Sequence, residues 1–190
     1  MLAVTATAQA PSDDALVAHY SFDEGQGNVL RDHSGKGNHG KILGPQWEKL
    51  ADGYALKFDG VDDSVDCGND ESMRGVAKKG TVAVWLKPAK YGSGILSWHT
   101  GGSWHDQRWV FITTHKTDDS VSYILADGNS RRKGKWAPPA PLNEWTHYAL
   151  TVDGKRIRQY ANGIHLDDRG MGESISDFGG APLLLGVSRG

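Results

Sequence analysis

The sequence lacks the features that mark several large classes of protein. Its 190 residues contain a single cysteine, Cys67, which excludes an internal disulfide framework and a cysteine-based zinc cluster. No run approaches the roughly 18 consecutive apolar residues that a membrane-spanning helix requires. With 21 basic and 23 acidic residues, the formal net charge is −2, so no strong field attracts nucleic acid or an anionic membrane.

Catalytic motifs are also scarce. Gly35–Lys41 spells G-x-x-x-x-G-K, but Gly44-Pro45 follows where a phosphate-binding loop requires a helix. The G-x-S-x-G and H-E-x-x-H motifs are absent. The five glutamates are scattered, and none forms the carboxylate pair that a sandwich-fold glycoside hydrolase places beside its sugar. The sequence therefore argues against catalysis.

Turn signals and short apolar runs are abundant. The chain contains 25 glycines, 7 prolines, 7 tryptophans, 6 tyrosines and 4 phenylalanines. Asp-Gly separates Trp145–Val152 from Lys155–Ala161, and Asn-Gly separates the latter from Ile164–Leu166. Both dipeptides favour type I′ turns, so these runs predict a three-stranded antiparallel meander.

The same pattern, in which turn residues separate short apolar runs, continues along the whole chain. Helix is limited to Glu71–Ala77, because no longer stretch carries a 3.6-residue apolar period. Thr81–Leu86 is apolar on both faces, which is typical of a strand covered on both sides. The fold class predicted is all-β, a two-sheet antiparallel sandwich of the jelly-roll type. Other predicted strands are Leu16–Phe22, Tyr54–Phe58, Ile95–Trp98, Trp109–Thr114, Val121–Leu125 and Leu183–Val187.

Acidic and amide residues cluster in glycine-rich loops. Calcium is bound by six to eight oxygens from carboxylates, amides and carbonyls, so such loops can hold it. Asp and Asn also favour turns for backbone reasons, and composition alone leaves both interpretations open. The candidate metal ligands are Asp23, Asp32, Asn38, Asp59, Asp62 and Asp63.

A second cluster combines tryptophan, histidine and arginine. Ser97-Trp98-His99 recurs as Ser103-Trp104-His105 across a Gly-Gly loop. Aromatic faces stack on the apolar face of a sugar ring, while polar side chains bond its hydroxyls. Trp98 and Trp109 are alternatively core residues of their strands. Arg131–Trp136 is interpreted as a basic loop, either solvated or in contact with a glycan. The candidate ligand-binding residues are His99, Trp104, His105, Asp106, Arg108 and Trp136.

The first ten residues are small and apolar and end in Ala8-Gln9-Ala10, an A-x-A pattern. We interpret residues 1–10 as the remnant of a signal peptide, which predicts a secreted or cell-surface protein. The alternative is an alanine-rich terminus with no targeting role. No linker divides residues 11–190, so they are expected to form a single domain.

Six blocks of sequence follow one another in a characteristic order. They are Leu16–Gly25, Asp32–Gly40, Ala55–Val65, Thr81–Pro88, Asn143–Tyr148 with Tyr160–Gly163, and Leu184–Gly186. Together these blocks resemble the concanavalin A-like, laminin-G-type lectin domains of bacterial secreted proteins.

The resemblance implies a jelly-roll sandwich that often carries a bound calcium ion. It matches Asp23, Asp32 and Asn38 to the family's first loops, and Asp59, Asp62 and Asp63 to its Phe-Asp-Gly-x-Asp-Asp block. The sugar site varies within the family and is not transferred. The family's usual last strand is missing after Leu184–Gly186, so we expect residues 11–190 to lack that strand.

These features support three hypotheses. The first is a non-catalytic carbohydrate-binding domain with a structural calcium ion, whose partner is a polysaccharide or another glycan. The second is a protein-interaction or adhesion module, in which exposed aromatic residues anchor the interface. The third is a glycan hydrolase or lyase on the same fold, against which the missing carboxylate pair speaks.

Overall fold

The computed structural model describes residues 13–92, 94–99, 108–112, 122–126, 131–135, 141–170 and 180–186. These residues form short strands, one helical turn and two 3-10 turns. The strands are β1 (Val29–Leu30), β2 (Gly40–Leu43), β3 (Gln46–Lys49), β4 (Tyr54–Lys57), β5 (Ser64–Asp66), β6 (Gly80–Leu86), β7 (Gly94–His99), β8 (Arg108–Ile112), β9 (Ser122–Ala126), β10 (Arg131–Lys135), β11 (Thr146–Val152), β12 (Arg156–Ala161), β13 (Ile164–Gly170) and β14 (Leu183–Leu185). The helix α1 is Glu71–Arg74, and the 3-10 turns are Asp13–Ala15 and Gly75–Ala77.

The strands form two main sheets, and every pairing among them is antiparallel. The larger sheet has the order β1-β2-β5-β14-β7-β8-β9-β10, and the smaller has the order β13-β12-β11-β6. A separate hairpin joins β3 and β4. The predicted all-β sandwich is confirmed. Helix α1 and one 3-10 turn lie within the predicted residues 71–77, and the 3-10 turn at Asp13–Ala15 was not predicted.

Side chains from both sheets form the core. The smaller sheet contributes Leu150 and Ile157, and the larger contributes Val65 and Trp98. Each of these side chains is at most 4% exposed. Met73 packs into the same cluster from α1. The expectation that Trp98 is a core residue is therefore confirmed.

The predicted meander is confirmed as β11-β12-β13. Its second turn is Asn162-Gly163, with φ angles of 48° and 78°. The Asn162 side-chain oxygen also accepts a hydrogen bond from the His147 N–H at 3.0 Å. Both residues of a type I′ turn need positive φ, and this is the region in which Asn and Gly are favoured.

The prediction that Thr81–Leu86 is covered on both faces is wrong. In β6 the side chains alternate between exposed Thr81, Ala83 and Trp85 and half-buried Val82, Val84 and Leu86. The second face points to solvent because the sandwich has only two layers. This places an unusually apolar set of side chains on the outside of the protein.

Two other segments differ from the sequence prediction. Leu16–Phe22 is not a strand, because the His19 N–H bonds a side chain and Phe22 has a φ of 60°. A single bridge between Tyr20 and Asp32 is the only β pairing described there. Conversely, Arg131–Lys135 is a strand, β10, that pairs with β9, and not a loop.

The left-handed Gly163 position allows a direct test of the turn. We expect Gly163→Ala to lower the free energy of unfolding by about 1–2 kcal/mol, because a Cβ is disfavoured at positive φ. Gly75→Ala is the matched control, since Gly75 has a φ of −69° and open space around it. Urea unfolding of the two variants measures the difference. Equal stability would contradict the turn assignment.

Candidate functional site

The carboxylate of Asp32 organises the first loops of the chain. Its Oδ1 accepts hydrogen bonds from the N–H groups of His19 and Ser34, both at 2.9 Å. Its Oδ2 accepts from the Ser34 hydroxyl at 2.7 Å and the Asn38 N–H at 2.9 Å. The side chain is 7% exposed. Four protein donors therefore surround this carboxylate, which gives it a structural role whether or not it also meets a metal.

These bonds also set the ionisation of Asp32. Burial alone raises the pKa of Asp32, but the hydrogen bonds from Ser34, His19 and Asn38 together outweigh it. The pKa of Asp32 is consequently below its ordinary value, and the group is an anion at neutral pH.

Asn38 extends this network to the rest of the fold. Its side-chain amide donates to the Val17 carbonyl at 2.7 Å and to the Ser72 hydroxyl at 2.9 Å. Its carbonyl accepts from the Tyr20 hydroxyl at 2.5 Å. Asn38 is 4% exposed, so the predicted metal ligands Asp32 and Asn38 are both tied into the protein interior.

The lone cysteine lies beneath this network and is not activated. Burial raises the pKa of the Cys67 thiol to about 12, so the thiolate is scarcely populated at neutral pH. Burial also raises the pKa of Tyr20, which interacts with it. Neither group has the ionisation that a nucleophile or general base requires.

A second predicted set of metal ligands does come together. Carboxylate oxygens of Asp59, Asp62 and Asp63 lie within 4.8 Å of one another. Asp59 accepts a bond from the Val61 N–H, and Asp63 accepts one from the Asp59 N–H, both at 2.8 Å. Hydrogen bonding, chiefly from Val61, lowers the pKa of Asp59. Three carboxylates this close together are a candidate for binding a divalent cation.

Asp23 lies elsewhere, on an exposed loop next to Glu24. One Glu24 oxygen accepts a bond from the Arg31 N–H at 2.7 Å. The other, Oε2, is buried with no hydrogen-bond partner. A buried, unpaired carboxylate oxygen is costly unless a cation meets it. The sequence analysis did not select Glu24 as a candidate ligand, because the burial of one carboxylate oxygen cannot be read from the sequence.

Most of the predicted sugar-binding residues fall outside the described residues. These are Trp104, His105, Asp106 and Trp136. His99 and Arg108 are backbone partners at the ends of β7 and β8. The Trp104 loop therefore connects two neighbouring strands of the larger sheet.

The described strands define a two-sheet antiparallel β-sandwich. The family comparison agrees with this class. A model described as the concanavalin A-like lectin/glucanase superfamily, laminin-G type, matches residues 59–190. The chain belongs to this superfamily. No curated protein sequence matches it.

Solved structures with this fold include carbohydrate-binding domains. Domain 4 of AbnA, an extracellular GH43 arabinanase of Geobacillus stearothermophilus solved with arabinotriose, has 20% identity and a TM-score of 0.72, covering 90% of this chain and 83% of that one. The CBM40 domain of the Ruminococcus gnavus IT-sialidase, bound to α2,3-sialyllactose, has 19% identity and a TM-score of 0.50, covering 62% and 71%.

Another similar structure is the binding domain of Paraclostridial Mosquitocidal Protein 1. It has 15% identity and a TM-score of 0.73, covering 93% of this chain but only 46% of that one. At these identities the likeness is one of fold. Within the part of the chain that the structure describes, no helix is long and apolar enough to cross a membrane.

The Asp32 network makes a quantitative prediction. We expect Asp32→Ala to lower the free energy of unfolding by about 3 kcal/mol, because it leaves buried donors unpaired. Asp52→Ala, in an exposed turn, is the control. Urea unfolding at neutral pH measures both variants, and equal losses would contradict the structural role.

The same carboxylate gives stability a pH dependence. The pKa of Asp32 is lower in the folded protein than in the unfolded chain, so its ionised form favours folding. This contribution is complete above an unfolded pKa of about 3.9 and is lost as the pH falls through the folded pKa. Asp32→Ala should therefore lose less stability than the wild type on acidification. Parallel losses would contradict the assignment.

Proposed function

We propose that this chain is a non-catalytic carbohydrate-binding module of an exported protein. The observation that carries the proposal is its lectin-type sandwich, a fold shared with an arabinotriose-bound domain and a sialyllactose-bound domain. Support also comes from the lack of a glutamate pair on one strand and from the unreactive cysteine. The interpretation of residues 1–10, which end in Ala8-Gln9-Ala10, as part of a signal peptide supports export.

The proposed sugar contact is the loop between β7 and β8. Trp104 would stack on the apolar face of a sugar ring, which excludes water from that face. His105, Asp106 and Arg108 would donate and accept hydrogen bonds to the hydroxyls. His99 is proposed to line the same region, because it is the backbone partner of Arg108. The predicted ligand Trp136 is not part of this site, because it follows Lys135, which lies at the opposite end of β10 from the residue level with Arg108. In this proposal the loop holds the sugar by stacking and hydrogen bonding alone.

We further propose a structural calcium ion. Asp59, Asp62 and Asp63 supply three carboxylates, and loop carbonyls and water can complete the six to eight oxygens that calcium takes. The Lys90 ammonium donates to the Asp59 carbonyl at 3.0 Å and offsets part of this negative charge. Glu24 Oε2 and the neighbouring Asp23 form a second position of suitable chemistry. In both, the ion would fix loop geometry.

The sugar proposal is tested with polysaccharide affinity gels covering arabinan, xylan, galactan and polygalacturonate. We expect the wild type to be retarded by one glycan class. The double change Trp104→Ala with Arg108→Ala should weaken that retardation at least tenfold and leave the melting temperature nearly unchanged, because the proposal assigns both side chains to the sugar and not to the core.

Retardation as strong as that of the wild type after the double change would refute the loop assignment. A folded wild type that no glycan retards, but that captures a purified surface protein, would favour the adhesion-module alternative. Release of reducing ends from any glycan would contradict the non-catalytic assignment.

The calcium proposal has a separate test. Calcium should raise the melting temperature of EDTA-treated protein, because binding to the folded state alone stabilises it. Asp62→Asn should remove this shift if the ion occupies the Asp59 cluster, and Glu24→Gln should remove it if the ion occupies the Glu24 loop. Glu144→Gln, in an exposed turn that belongs to neither proposed position, is the control. A wild type indifferent to calcium would refute the proposal.

A further inference from the structure

The outer face of the smaller sheet carries an unusual row of rings. Trp85 is 63% exposed, although it lies in the largely apolar strand β6. It pairs across β6 and β11 with His147, and their ring centroids are 5.3 Å apart. Direct cross-strand partners share one face of a sheet, so both rings lie outside the core.

A second ring pair lies on the same face two strands away. Tyr160 of β12 pairs with His165 of β13, again with ring centroids 5.3 Å apart. Ala149 of β11 is the direct partner of Tyr160 and also of Ala83 in β6. Because His147 and Ala149 are two residues apart in one strand, register places both ring pairs on one surface. We call this surface the ring platform: Ala83, Trp85, His147, Ala149, Tyr160 and His165.

Two small side chains lie between the ring pairs of the ring platform. Its floor consists of the two alanines, and Ala149 is only 9% exposed although its side chain points outward. Larger neighbours therefore shield it. Neighbouring strands are about 4.8 Å apart. Strands β6, which carries Trp85, and β12, which carries Tyr160, lie on either side of β11 and are therefore separated by about 10 Å. A flat ring can lie over the alanines while the aromatic groups contact its faces and edges.

The charges near the ring platform favour an uncharged ligand. Arg156 and Arg158 next to Tyr160 already form ion pairs with Asp168 at 2.5 and 3.5 Å. Arg158 also pairs with Asp153 at 2.8 Å. The platform itself offers ring faces, imidazole nitrogens and a phenol, without a block of positive charge that would select nucleic acid or an acidic polysaccharide.

A protein partner fits this face less well. Stable protein interfaces bury about 800 Å² on each side around a largely apolar centre. On this face, Thr81 and Thr151 form the next outward-facing pair beyond the two alanines, and the ion-paired arginines of β12 lie beside them. Isolated rings with polar edges over small side chains suit the alternating apolar and hydroxyl surfaces of sugar rings.

We propose that the ring platform is a second glycan-binding surface, selective for a neutral sugar chain that stacks on Trp85 and Tyr160 across the alanine floor. This inference rests on the proposed carbohydrate-binding function. It concerns a different face from the Trp104 loop, since the platform lies on the smaller sheet and that loop joins two strands of the larger one.

The test uses the full chain and the neutral polysaccharide that retards it most on affinity gels. Trp85→Thr and Tyr160→Thr, made separately, should each weaken retention by about tenfold, because each removes one stacking ring. Ile164→Thr is the matched control. Ile164 is 65% exposed on the same sheet, but its partner Ala161 packs against the core and not on the platform. Circular dichroism and melting temperature verify folding of each variant.

A direct readout accompanies the gels. In nitrogen-15 NMR spectra, the indole N–H signal that disappears in Trp85→Thr should shift when a soluble fragment of that polysaccharide is added. Trp104→Ala should leave this shift in place, because the two surfaces are separate.

The outcomes distinguish the two proposals. If no glycan retards the folded wild type, the carbohydrate-binding function fails and the platform assignment fails with it. If the wild type is retarded, while both threonine variants match it and the Trp85 signal does not move, only the platform assignment is overturned. Self-association of the wild type that both threonine variants lose, with unchanged glycan retention, would identify the face as a contact between copies and would also overturn it.

Discussion

The buried carboxylate of Asp32 is the interaction on which the first half of the fold depends. A segment with little regular pairing must still satisfy its backbone donors, and Asp32 does this for His19, Ser34 and Asn38. Asn38 then carries the connection to α1 through Ser72. One anion thus replaces a strand pairing, which is why the alternating run at Leu16–Phe22 packs on the sandwich without becoming a strand.

Sequence reasoning predicted the parts of the fold in which local chemistry and tertiary structure agree. Asn162-Gly163 needs positive φ in isolation and has it in the sandwich, so the meander was predictable. Sequence reasoning failed where pairing with another strand, and not local propensity, determines the structure. The basic run at Arg131–Lys135 has little strand propensity, but β9 supplies its backbone partners. Solvent exposure of one face of Thr81–Leu86 could not be predicted either, because both faces of this run carry apolar residues.

The candidate sites also differ in how far the sequence alone could predict them. Asp59, Asp62 and Asp63 are close in sequence, so a turn brings them together as predicted. The ring platform depends on register between strands more than 60 residues apart, such as Trp85 with His147, which no local pattern encodes. The proposed calcium site and the proposed sugar-binding surfaces therefore depend on different parts of the sequence. The ion would hold loops in place, while rings on rigid strands or on the β7–β8 loop would contact the glycan.

The central claim is that this sandwich binds sugar chains through exposed aromatic rings. Isothermal titration calorimetry of the folded, calcium-loaded chain with neutral oligosaccharides, arabinotriose among them, tests it most directly. The account predicts saturable binding to at least one neutral oligosaccharide, with unchanged ligand recovered after the titration. No heat of binding with any neutral or acidic oligosaccharide would contradict it, and so would conversion of the ligand to smaller products.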